Sequence, residues 1–328
     1  MRRTPGRGGR PVLPLLLVLA LLPAGPAAAA DPSPAPIATV DLPIARHLFP
    51  LRYLAWEELY PHDRFLPPVA ADPPRDADGV PARIQDGRLV LSPSGITFQA
   101  LRRLDAWVRT GDDAYLANVV AWAERLRSVL QPEGEILWVP FDWPNPDQDL
   151  PAPWYNALAQ GTALALFVRL HRLTGDPAWL ATAEGLFRAF LVPGPRDGPW
   201  VAHVPDGRHL WLEHYAGGRR GQVLNAHLYA ALGLRDYWQA TGSPVARTLT
   251  EAAFTTIREE GERFRRPGGY SFYNLAAPVV HPKYHGFHIR LLRAAAVATS
   301  DPWFAAFADQ LESDRPALRD VSGSMPPG

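Results

Sequence analysis

The 328-residue chain contains no cysteine, which excludes both a disulfide framework and a thiolate metal site. It has 2 methionines and one lysine, Lys283, among 33 basic residues, so arginine carries nearly all of its positive charge. Net charge is zero. Without a basic surplus the chain lacks the electrostatic footprint of a nucleic-acid binder or of a protein held on an anionic membrane. Long apolar runs are missing too. The strongest, from Val12 to Leu22, is too short to span a bilayer, so no membrane span is expected. Arg2, Arg3, Arg7 and Arg10 precede it and the small residues Ala27 to Ala30 follow it. Residues 1–30 therefore read as an export signal, and the expected location is secreted or extracytoplasmic.

Proline (36) and tryptophan (11) are plentiful. Much of the proline falls in an expected N-terminal extension, residues 31–78. The tryptophans are either core or flat faces for sugar rings. From residue 79 to 315 the pattern becomes helical, and residues 316–328 form a tail expected to be disordered.

A short phrase recurs where apolar helical stretches end: Thr110-Gly-Asp, Thr174-Gly-Asp-Pro, Thr241-Gly-Ser-Pro and Thr299-Ser-Asp-Pro, at intervals of 64, 67 and 58 residues. A nearly fixed period is the signature of a repeat architecture. Each phrase stops one helix with Gly and starts the next with an Asp or Ser cap, often with Pro at the first helical position. The stretch before each phrase is apolar nearly all round and the stretch after it is amphipathic, so the first belongs inside and the second outside. Four inner–outer hairpins, at roughly 95–130, 158–191, 222–264 and 285–314, predict an all-α incomplete α/α toroid. The tight phrases must share one mouth. The long connections, about 79–96, 131–158, 192–223 and 265–287, must share the other. Asp86-Gly87, Glu133-Gly134 and Asp206-Gly207 mark short β-hairpins among them.

Chemistry-bearing residues crowd these connections, as function does on long loops over a rigid scaffold. One holds Glu213, His214 and Tyr215 side by side, then Arg219, Arg220 and Asn225. Another runs through Tyr273 to Tyr284, His285, His288 and Arg290. Pro282 separates His281 from the later histidines, which works against zinc spacing, so no metal is expected. Taken singly, each histidine or tyrosine is better explained by hydrogen bonding in the barrel wall. Together they suit removal of the C5 proton of a uronate. That step needs a base, neutralisation of the carboxylate by Arg, Asn or Gln, and a second proton carrier on the opposite ring face. Tyrosine serves in either role where nearby cations lower its pKa. If the second group protonates the glycosidic oxygen instead, the same start gives β-elimination.

At these motifs the chain resembles the C-terminal domain of the D-glucuronyl C5-epimerase family, from about Gly79 to Phe304. Ala152-Pro-Trp-Tyr-Asn-Ala-Leu-Ala-Gln-Gly161, Trp211-Leu-Glu-His-Tyr215 with Val223-Leu-Asn225, Tyr273-Asn-Leu275 and Tyr284-His-Gly-Phe-His-Ile-Arg-Leu291 follow the family motifs in order. The resemblance implies cofactor-free epimerisation of glucuronate in a heparosan-like polysaccharide. It implies proton transfer at Tyr215, Tyr273 and Tyr284 and at the acid beside the first of them. It also places Trp154, Tyr155, Gln160, Asn225, His285 and His288 among the substrate contacts. Where the family has that glutamate this chain has His214, with Glu213 one position earlier, so either His214 replaces it or Glu213 is structural. Ala276 stands where the family has an arginine, and Arg290, Arg219 or Arg220 is expected to bind the carboxylate instead. A toroid polysaccharide lyase and a glycan-binding relative without turnover are the alternatives. A glycoside hydrolase would need paired carboxylates, for which Glu213 with Asp142 or Asp147 are unpaired candidates. Oligomeric state is left open by the sequence.

Overall fold

The computed structural model describes residues 44–60 and 74–316. The expected export signal, residues 31–43 and 61–73 of the expected extension and residues 317–328 of the expected tail lie outside these residues. Eight helices form four antiparallel hairpins: α1 (Pro93–Thr110) with α2 (Asp113–Arg127), α3 (Ala157–Thr174) with α4 (Pro177–Arg188), α5 (Leu224–Thr241) with α6 (Pro244–Glu260), and α7 (Pro282–Thr299) with α8 (Pro302–Ser313). The odd-numbered helices pack on one another in the order α1-α3-α5-α7 and each carries its even-numbered partner outside. This is the incomplete α/α toroid that the repeat predicts.

Each hairpin turns on one device. The threonine hydroxyl donates to the carbonyl four residues back, as Thr110 does to Ala106 and Thr174 to Leu170 (2.8 Å each). It also accepts the amide two residues on, at 3.2 Å in all four repeats. The next residue is left-handed, with φ of 69°, 72° and 69° at Gly111, Gly175 and Gly242, and 55° at Ser300. Asp112, Asp176, Ser243 and Asp301 then cap the outer helix through the side chain. Glycine costs nothing in that conformation, and the cap satisfies an otherwise unpaired N–H. Two local rules thus reverse the chain four times.

The central pair, α3 and α5, is buried on nearly every side. Their axes close on glycines: a Cβ on Gly161 would lie 2.5 Å from Cα of Ala230, and one on Gly233 only 2.1 Å from the Gly161 carbonyl oxygen. Most of the tryptophans serve the core. Trp122, Trp138, Trp179 and Trp211 are each no more than 3% exposed. Residues 44–60 run across the helices as a strap. Phe49 packs against Phe254 and Phe304, the His47 amide reaches Thr255 (2.7 Å), and Leu54 exchanges two 2.9 Å bonds with the Gln239 amide.

The long connections carry the short strands. β1 (Ala82–Gln85) pairs antiparallel with β2 (Arg88–Leu91), and β3 (Gln131–Glu133) with β4 (Ile136–Trp138). A third sheet joins β5 (Pro193–Gly194), β6 (Ala202–His203) and β7 (Trp211–Leu212). Among the described residues no helix is long and apolar enough to cross a membrane.

The glycine contact gives a signed prediction. Alanine normally improves a helix interior by about 1 kcal/mol over glycine, but here the added methyl meets backbone. Gly233→Ala is expected to destabilise the fold by about 1–3 kcal/mol through overpacking. Urea unfolding would show a lower midpoint at unchanged slope, and an unchanged or raised midpoint would refute so close an approach.

Candidate active site

All four inner helices begin at the mouth that carries the long connections, and a cleft of about 430 Å³ opens between their first turns. Ser92, Ser94 and Phe98 line it from the start of α1, Leu158 from α3, Asn225 and Tyr229 from α5, and Lys283, Tyr284 and Phe287 from α7. His214 and Tyr273 enter from the connections. Helix N-termini carry partial positive charge, so this convergence favours an anionic ligand.

Three tyrosines adjoin one another at this mouth, with Tyr273 between the other two. The hydroxyls of Tyr215 and Tyr273 are 3.4 Å apart, and the Tyr273 and Tyr284 rings are centred 4.5 Å apart. Tyr215 stands behind Tyr273, between Trp154 (6.2 Å) and His214 (4.3 Å). Burial raises the pKa of Tyr273 far above the ordinary phenol value and raises those of Tyr215 and Tyr284 as well. Cations were expected to lower these values. Arg220 does pull on Tyr215 and Tyr273, but desolvation outweighs it. The three phenols are therefore neutral in the ligand-free protein. The Tyr273 hydrogen bond and Arg220 both lower the pKa of Tyr215. Tyr284 has no comparable help. Burial also holds the His214 imidazole neutral, down to about 4. Its Nδ1 has no partner.

Glu213 faces away from the cleft. It is 2% exposed and accepts from the Gln222 amide (2.9 and 3.1 Å) and from His203 Nε2 (2.7 Å). It thereby closes the loop that presents His214, Tyr215 and Arg220. Behind it, His227 Nδ1 accepts from the Leu212 amide (3.1 Å) and Nε2 donates to the Ala253 carbonyl (2.8 Å), bracing β7 to α5 and α6. A second knot sets the other two tyrosines. Ser271 bonds His285 Nδ1 through both its amide and its hydroxyl (3.0 Å each), and its hydroxyl lies 2.8 Å from His288 Nδ1. Ser271 is two residues before Tyr273 and His285 is one after Tyr284, so the knot fixes both.

Other residues singled out in the sequence are distributed differently. Gln160 is fully buried and clamps the β3–β4 hairpin, accepting from Val139 N (3.1 Å) and donating to the Leu137 and Leu186 carbonyls (2.7 and 3.0 Å). Trp154 stacks on Phe141, its N–H donates to the Trp143 carbonyl, and the Tyr155 hydroxyl bonds Gln131. Arg219 pairs with Asp149 at the surface. Arg290 covers the Phe287 ring and lines a separate cavity with Tyr60 and Arg235, outside the cleft. Arg220 has no carboxylate partner among the described residues and is the arginine nearest in effect to the tyrosines. Asn225, 4% exposed, leaves its Oδ1 without a partner at the cleft wall.

The sequence reading missed Tyr229, Arg102 and Lys283. Tyr229 was recoverable, because it lies four residues past Asn225 on one helix face. Lys283, the lone lysine, sits 5.9 Å from the Tyr284 ring. Among the described residues, none that lines this cleft is Asp or Glu, and none form a cluster of three potential metal ligands.

The family model for the D-glucuronyl C5-epimerase C-terminus matches residues 137–313, more than half of the chain. The chain belongs to this family. Among solved structures it is similar to a family 76 alpha-mannanase from Bacteroides thetaiotaomicron, with a TM-score of 0.50 and 12% identity over 73% of this chain and 59% of that one. It is similar to the same degree to a cellobiose 2-epimerase from Bacillus thermoamylovorans, with a TM-score of 0.50 and 11% identity over 68% of this chain and 60% of that one. At such identities the likeness is one of fold. The chain spans about three fifths of the length of each. The matched segment of the epimerase family contains Tyr215, Tyr273, Tyr284, His214 and Asn225, whereas Arg102 and the α1 wall precede it.

Two measurements test this geometry. Glu213→Ala strands the Gln222 amide and His203, and is expected to cost about 1–3 kcal/mol of stability. Glu213→Gln keeps one acceptor and should lose less; equal stability of Ala variant and wild type would remove Glu213 from the latch. The second concerns acid. Burial depresses His227 to about 4 and His288 to about 3, and His227 must stay neutral to accept from Leu212. Below the unfolded value of about 6.5 the unfolded chain binds more protons than the folded one. Stability is therefore full above that pH and should fall toward pH 4 by up to about 1.4 kcal/mol per pH unit per group. Urea titrations between pH 7 and 4.5 read the slope, and a flat profile would contradict it.

Proposed function

We propose that this protein inverts C5 of D-glucuronate residues within an extracytoplasmic polysaccharide. One observation carries the reading: the cleft at the inner-helix N-termini is walled by interacting tyrosines, a neutral histidine and a buried asparagine, with no carboxylate among the described residues of its lining. Glycoside hydrolysis ordinarily needs two carboxylates flanking the bond. Proton exchange beside a substrate carboxylate needs none from the protein.

In the proposed cycle the helix N-termini, Asn225 and Arg220 hold the uronate carboxylate. Tyr215 and Tyr273 act as one unit: on substrate binding one phenol O–H breaks and its proton leaves to solvent, so that the pair carries a single negative charge, favoured by their mutual hydrogen bond and by Arg220. The pair takes the C5 proton. The C5–H bond breaks, a phenol O–H forms, and the electron pair passes into the carboxylate as an enediolate. Tyr284 then gives its proton to C5 from the opposite face. Tyr273 lies between the other two tyrosines and returns the proton from Tyr215 to Tyr284, which restores the starting state. No electrons leave the substrate.

A heparosan-type polymer incubated in deuterated water is expected to acquire deuterium at C5. Tyr284→Phe should lower the exchange rate by about 10²–10⁴-fold while the polymer still binds. Lack of label across a panel of uronate polymers would overturn the reading. Absorbance rising in the near ultraviolet would do so as well, because it marks the unsaturated uronate that β-elimination leaves.

A further inference from the structure

A second concavity, of about 380 Å³, lies on the other side of the Tyr215 loop. Its walls are Trp154, Tyr155, Trp200, Pro199 and Ala216. Ala216 follows Tyr215, whose ring is centred 6.2 Å from that of Trp154 and whose hydroxyl lies 3.4 Å from that of Tyr273 in the cleft wall. We infer that this groove is a subsite for an uncharged pyranose ring of the same polymer, farther along the chain than the immediate neighbours of the uronate held in the cleft. The inference rests on the reading of the cleft as a uronate site.

The chemistry of the two concavities is opposed. The cleft wall includes Arg102 and Lys283. Among the described residues no charged residue lines the groove. Of its aromatic polar atoms, the Trp154 N–H is engaged by the Trp143 carbonyl (2.8 Å) and the Tyr155 hydroxyl by Gln131. What the groove offers a ligand is therefore ring faces and proline, which suit the C–H face of a sugar. A carboxylate placed there would lose its water and find no cation in return.

Trp200 is built into this position. A Cβ on Gly194 would lie 2.1 Å from Trp200 Cδ2, so one side of the indole rests directly on the strand backbone. The His203 ring lies 5.1 Å away. The same His203 donates to Glu213, the latch of the tyrosine loop. Groove and cleft thus share one support, and the register of a bound chain is set by charge: the uronate at the helix N-termini, a neutral residue farther along the chain against Trp200.

The test compares wild type with Trp200→Ala and Trp200→Phe, by calorimetric binding and by C5 deuterium exchange. The ligands are an alternating glucuronate/N-acetylglucosamine hexasaccharide, the matching trisaccharide and a hexamer of uronate alone. Wild type is expected to prefer the alternating hexasaccharide to the all-uronate hexamer. Trp200→Ala should weaken hexasaccharide binding on the order of tenfold, from loss of the stacking face. The loss should exceed that for the trisaccharide by about fivefold, and Trp200→Phe should recover most of it. Equal losses for both lengths, no loss, or a preference for the all-uronate hexamer overturns the groove. If label enters C5 and Trp200→Ala is silent, the groove falls and the epimerase reading stands. If the hexasaccharide binds in a Trp200-dependent way without exchange, the groove stands and the epimerase reading falls. Neither binding nor exchange overturns both.

Discussion

The constraint on which everything else depends is the Thr-Gly-Asp turn. The threonine hydroxyl closes one helix, a left-handed residue reverses the chain, and an Asp or Ser side chain opens the next. Because the reversal is so short, every inner helix must run in the same direction. All four N-termini then lie at one mouth and all long connections with them. The electrostatic character of the cleft follows from this before any particular side chain is chosen. Aligned backbone dipoles put positive ends where an anionic ligand would sit. The inner helices are buried, so little water screens them.

The same burial sets a condition on the tyrosines. Desolvation raises all three phenols, and it is the largest influence on each. The nearby cation is not enough to reverse it in the empty cleft. A resting protein with neutral tyrosines and a neutral His214 would be poised for proton exchange only once a ligand adds its own interactions. The Tyr215–Tyr273 contact divides the roles. The hydrogen bond that lowers the pKa of Tyr215 raises that of Tyr273. Two phenols sharing a proton titrate as a pair, so their behaviour belongs to the pair and not to either residue.

The fold was largely legible in the sequence because its controlling interactions are local. A cap reaches two or three residues, a left-handed glycine needs only its own backbone, and apolar periodicity separates inner from outer helices. The placement of the chemistry-bearing connections at one mouth followed by simple counting. Individual site residues were less legible. Gln160 and Glu213 look alike in sequence to substrate contacts, yet both spend their hydrogen bonds on backbone amides or carbonyls from distant segments. Only tertiary packing decides that. Arg290 was readable in part. Six residues past Tyr284, it lies roughly 240° around an ideal helix, on a different face from the tyrosine. Tyr229, one turn beyond Asn225, was the converse case. Arg220 could be told from Arg219 only once Asp149 was seen to hold the latter.

The replacement of a glutamate by His214 beside Tyr215 takes on meaning in this frame. In the proposed cycle a carboxylate at that point would add negative charge to a wall that holds a phenolate and a uronate. An imidazole held neutral by burial adds none. Glu213, one position earlier, is turned into the latch with His203 and Gln222. The loop is thus closed by a carboxylate that the cleft never meets. Separating the charge that organises the loop from the groups that face the cleft leaves no carboxylate among the described residues of its lining, unlike the paired acids that glycoside hydrolysis ordinarily needs.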